Sequence, residues 1–115
     1  MADRPYDIVL FGATGFTGQL TAEYLARHAP AGCRWALAGR NHAKLAAIRD
    51  RLAEIVPTLA ELPVLPAEAS DVESMRAVAE SARVVITTVG PYALHGEPLV
   101  AACAAAGTDY VDLTG

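Results

Sequence analysis

Apolar side chains recur along this chain in two alternating rhythms. From Tyr6 to Phe11 they form an almost unbroken branched run bounded by a proline and a glycine, as expected for a strand covered on both faces. A helical rhythm follows, with Phe16, Leu20 and Tyr24 on one apolar face, until Pro30 and Gly32 break it. The unit then repeats. Residues 34–38 read as a second strand, and after Gly39 the apolar positions Leu45, Ile48, Leu52 and Ile55 return at helical intervals up to Pro57. Residues 62–65 can form a third strand, although Pro63 and Pro66 each remove a ladder donor and so place it at a sheet edge. Met75, Val78, Ala79 and Ala82 mark a third helix that begins near Ser70 and Asp71, both good capping residues. Residues 83–89 read as the fourth strand. Pro98 opens a fourth helix through Ala105, Gly107 closes it, and residues 110–113 read as the fifth strand.

Strict alternation of strands and helices implies a parallel sheet with right-handed crossovers. The expected fold is α/β, a Rossmann-type doubly wound sheet of order 3-2-1-4-5, truncated after the fifth strand. That order puts the proline-bearing strand at an edge and the most apolar strand in the centre. No repeat beyond this unit, linker or low-complexity segment divides the chain, so residues 1–115 are expected to form one nucleotide-binding domain.

Composition narrows the partners. With 53% hydrophobic and 19% charged residues there is ample surface for a core. A formal net charge of −4 argues against general binding to nucleic acid. The apolar stretches are far short of the roughly 20 residues that span a bilayer. No export signal is evident either. Cys33 and Cys103 lack the number and spacing of a disulfide or metal framework, which suits a reducing cytoplasm.

The candidate chemistry lies in Gly12-Ala13-Thr14-Gly15-Phe16-Thr17-Gly18, with a glycine at every third position between the first strand and first helix. A pyrophosphate can approach main-chain amides only where no Cβ intervenes, and the dipole of a helix start favours its charge. Gly12 and Gly15 would give that approach, Gly18 would let the helix sit close to the strand, and Thr14 and Thr17 offer hydroxyls beside the amides. At the end of the second strand an acidic residue would select the ribose of NAD(H), but Gly39-Arg40-Asn41 stands there. Arg40, with Lys44 one turn on, would favour the 2′-phosphate of NADP(H), leaving NAD(H) the weaker ligand. Ser70 and Asp71 fall at the level of the adenine, where capping alone would also account for them. Val89, Gly90 and Pro91 fall beside the expected nicotinamide ribose. His95 and Glu97 could titrate near a substrate, but loop residues of this kind are ordinarily just hydrated.

These segments, with Gly96-Glu97-Pro98 and Asp109-Tyr110-Val111-Asp112-Leu113-Thr114-Gly115 in order, resemble the saccharopine dehydrogenase-like oxidoreductases over the whole length. The likeness is strongest to the bacterial branch that includes trans-acting enoyl reductases of mycobacterial lipid synthesis. The resemblance implies NADP(H) held by Gly12, Thr14, Gly15, Phe16, Thr17 and Arg40. It also implies a larger second domain after Gly115 that binds a small-molecule or lipid substrate, without which this piece would be inactive alone. Short-chain dehydrogenases use Tyr-x-x-x-Lys, yet none of Tyr6, Tyr24, Tyr92 and Tyr110 has a lysine four positions later. Semialdehyde reductases need an exposed nucleophilic cysteine, and Cys103 lies among alanines. A non-catalytic NADP(H)-sensing module is the alternative reading. The outer edge of the fifth strand is expected to invite homo-oligomerisation.

Overall fold

The computed structural model describes residues 4–68, 70–88 and 97–112. Its elements alternate as β1 (Tyr6–Phe11), α1 (Phe16–His28), β2 (Trp35–Gly39), α2 (His42–Ile55), β3 (Val64–Pro66), α3 (Val72–Ser81), β4 (Ala82–Thr87), α4 (Glu97–Ala106) and β5 (Asp109–Val111). All neighbours pair in parallel, in the order β3-β2-β1-β4-β5. This is the order expected from the sequence, with Pro66 on the edge strand opposite Gly39.

The pleat sorts the core into two layers. Leu10, Trp35 and Leu37 face α1 and α2, where Ala22, Leu45, Ile48 and Leu52 meet them. Val9, Phe11, Ala36, Ala38 and Val85 face α3 and α4, against Met75, Val78, Ala79, Leu99 and Cys103. Each large side chain removed from water in this way contributes on the order of 1.5–3 kcal/mol.

The end of the sheet where the strands begin is tied by Arg4. Its guanidinium donates to the Ala79 and Ala82 carbonyls at 2.8 and 2.9 Å and to Thr108 Oγ1 at 2.6 Å. It also reaches the Ala106 carbonyl. A cation at the carboxyl ends of α3 and α4 is favourable for both helix dipoles.

Some details differ from the expectation. Residues 57–61 add a 3₁₀ turn between α2 and β3, opened by Pro57. Ala82 begins β4 opposite Tyr6 instead of ending α3. The apolar face of α1 is turned outward, leaving Phe16, Leu20 and Tyr24 exposed by 79%, 51% and 64%. Gly18 and Ala22 form the inward face. The cause is steric, because a Cβ on Gly18 would lie 2.0 Å from the Gly12 carbonyl oxygen. Only small residues let α1 rest on the turn beneath it, and that contact fixes the rotation of the helix.

Candidate functional site

The site is built where β1 runs into α1. Gly12 leaves the strand with φ 102°, a conformation that side chains disfavour. The turn closes through a bond from Gly15 N–H to the Gly12 carbonyl at 3.2 Å. Gly15 caps α1 without a side-chain hydrogen bond, and the first turn carries no acidic residue. The first helical bond runs from Gln19 N–H to the Gly15 carbonyl at 2.9 Å. The amides of Phe16, Thr17 and Gly18 therefore lie ahead of it, without a helical partner, and form the positive end of the helix dipole. α2 and α3 begin differently. Asn41 Oδ1 accepts from Lys44 N–H at 3.0 Å, and Asp71 Oδ1 accepts from Glu73 and Ser74 N–H at 3.0 and 3.4 Å.

Two glycines of the turn separate by what surrounds them. Gly18 is required by the protein's own packing, as the clash with Gly12 shows. Gly15 is not. A Cβ there would meet its nearest heavy atom at an ordinary 3.8 Å, and its backbone (φ −82°, ψ 168°) is open to any residue. Nothing in the fold demands a glycine at 15, whereas a diphosphate lying on the helix start would. The residues present fit such a ligand.

From this turn a cleft of about 520 Å³ runs across the carboxyl ends of β1, β2 and β3. It brings together Gly12, Ala13 and Thr14 at one end with Gly39, Arg40, Asn41 and Lys44, and it reaches Glu68 and Ser70 at the other. Arg40 and Lys44 give it positive charge. Gly39 is tightly enclosed, since a Cβ would come within 3.1 Å of Leu45 Cδ1. Phe16 and Thr17 stand exposed on the first turn of α1, with Gly18 buried beneath. Asp71 is not in the lining, and its carboxylate serves as the cap of α3. Val89, Gly90, Pro91 and His95 lie outside the described residues, as does the Glu97 side chain.

Sequence reasoning missed Glu68 and the bond that Thr88 makes. Glu68 lines the cleft, and its Oε1 accepts from Ser70 Oγ at 3.3 Å. Its position just past β3 was the available signal. Thr88 donates from Oγ1 to the Gly12 carbonyl at 2.9 Å, a contact across the sheet that local sequence does not reveal. Cys103 is buried, and burial pushes its thiol up to about 11, so it is not a nucleophile at neutral pH. Among the described residues no cluster could hold a metal ion, and no helix is long and apolar enough to cross a membrane.

Known proteins resemble this chain in sequence and in fold. The chain is 58% identical over 112 residues to a candidate trans-acting enoyl reductase of Mycobacterium tuberculosis, covering 97% of this chain and 26% of the relative. It is 54% identical over 114 residues to a trans-acting enoyl reductase of Mycobacterium bovis, covering 99% and 26%. The chain thus spans about a quarter of the length of the curated relatives it matches. Among solved structures, saccharopine dehydrogenase (L-Glu forming) from Saccharomyces cerevisiae superposes with a TM-score of 0.71 at 23% identity, over 93% of this chain and 21% of that one. This likeness is one of fold. The family model described as the saccharopine dehydrogenase NADP binding domain matches residues 8–115, and the chain belongs to that NADP-binding family.

Proposed function

We propose that this chain is the NADP(H)-binding part of an oxidoreductase that moves hydride to or from a small-molecule or lipid-type substrate, with that substrate held by a further domain. The observation that carries this reading is one continuous cleft that joins the glycine turn to Arg40 and Lys44. The amides of Phe16, Thr17 and Gly18 would receive the pyrophosphate. Arg40 would form charge-assisted bonds to the 2′-phosphate with Lys44 beside it. Glu68 and Ser70 would border the adenine end, and Asn41 would shape the wall while capping α2. When bound, NADPH supplies the hydride. This chain's residues bind it and orient it.

The names of the mycobacterial relatives support an enoyl group as the acceptor, and their greater length supports a substrate domain beyond the matched quarter. The free thiols of Cys33 and Cys103 are consistent with a reducing cytoplasm.

Fluorescence titration with NADPH and NADH tests the assignment. Arg40→Ala should weaken NADPH about tenfold to a hundredfold, the worth of one charge-assisted bond, and leave NADH nearly unchanged. Equal losses for both cofactors would remove Arg40 from this role.

A further inference from the structure

An anion site made of main chain must face its ligand with amides and keep its carbonyl oxygens turned away. In the glycine turn of this chain two of those carbonyls are drawn aside by side chains from elsewhere. The Gly12 carbonyl accepts from Thr88 Oγ1 at 2.9 Å, in addition to the Gly15 amide at 3.2 Å. Thr88 is itself fixed, because its own amide donates to the Phe11 carbonyl at 2.9 Å at the end of the β1–β4 pairing. The Thr14 carbonyl accepts from Gln19 Nε2 at 3.3 Å, and Gln19 Oε1 in turn accepts from the Arg51 guanidinium on α2. The Thr14–Gly15 peptide is thus held at both ends, by its carbonyl to Gln19 and by its amide to Gly12.

Glycine-containing turns can rotate a peptide plane at little steric cost. A rotation here would point a carbonyl dipole where phosphate charge has to lie. We propose that Thr88 and Gln19 are positioning residues for the cofactor's pyrophosphate, clamping the turn in its amide-forward state. The proposal rests on the reading that the pyrophosphate occupies this turn. It adds that the binding geometry is imposed from just past the end of β4 and from α1, braced by α2, and is not a property of the glycine motif alone.

The test uses Thr88→Val, which keeps the shape and removes the hydroxyl, Thr88→Ser, which restores it, and Gln19→Met. Each is titrated with NADPH and with adenosine 2′-phosphate, which carries the 2′-phosphate and no pyrophosphate. One neutral hydrogen bond corresponds to about a three- to tenfold change in affinity. Thr88→Val and Gln19→Met should each lose that much for NADPH and nothing for adenosine 2′-phosphate, and Thr88→Ser should bind as the parent does. Parent-like NADPH affinity in both Thr88→Val and Gln19→Met overturns the proposal, as does equal loss for both ligands. Should Thr88→Val fail to fold, the surface variant Gln19→Met decides. Gly15→Ala separates the two levels. If it binds NADPH normally, the pyrophosphate reading itself falls. If it loses NADPH while the clamp variants do not, only the clamp falls.

Discussion

Gly15 and Gly18 look alike in the motif, yet their surroundings give them opposite consequences. Gly18→Ala forces a methyl against the Gly12 carbonyl at 2.0 Å, so α1 must shift. Overpacking of this kind should cost about 1–3 kcal/mol or more, read as a lowered denaturation midpoint. Gly15→Ala finds room and an allowed backbone. Its stability should change by less than about 1 kcal/mol, as weaker capping offsets reduced chain entropy in the unfolded state, while NADPH binding is lost. The motif's spacing was enough to locate the turn. Which glycine serves the fold and which serves the ligand depends on distances across it, and sequence does not carry those. For the same reason Arg40 was legible as a residue type at a strand end, but the bond from Thr88 to Gly12 was not.

At the scale of elements, strand and helix order followed from apolar rhythm because the central strands β1 and β2 are buried on both faces and the helices must cover them. The rotation of α1 did not follow. Its largest apolar residues lose the contest for the inward face to Gly18 and Ala22, since close approach at the turn outweighs the burial of Phe16, Leu20 and Tyr24. Leu20→Ser should therefore alter stability by no more than about 0.5 kcal/mol, as a surface change does, whereas Met75→Ala in the core should cost about 2–5 kcal/mol. Asp71→Ala, which removes the cap of α3, should cost about 0.5–2 kcal/mol and leave NADPH affinity unchanged. Asp7 gives an acid signature. The Arg34 amide and guanidinium hold its carboxyl below the ordinary 3.8. Its stabilising effect is present above that pH and is lost as pH falls through the lowered folded value. Asp7→Asn should flatten the acid limb of a stability profile measured by denaturant midpoints.

For the whole molecule, the two ends of the sheet divide the work. The strands' beginnings are bound by Arg4 to α3, β4 and the start of β5, while their carboxyl ends open into the cleft. Arg4→Ala should lower stability by about 1.5–3 kcal/mol, the scale of a charged hydrogen-bonding group, with little effect on cofactor affinity in the folded protein. We propose further that the β5 edge, where Val111 is half exposed, supports association of two copies. Light scattering that shows only a monomer at high concentration would refute it.

NADPH titration of ¹⁵N-labelled protein followed by NMR reads the amides at the start of α1 one by one. The amide signals of Phe16, Thr17 and Gly18 should move on binding, together with those around Arg40. Signals at 16–18 that stay fixed while others report saturation would mean that the pyrophosphate does not lie on the start of α1.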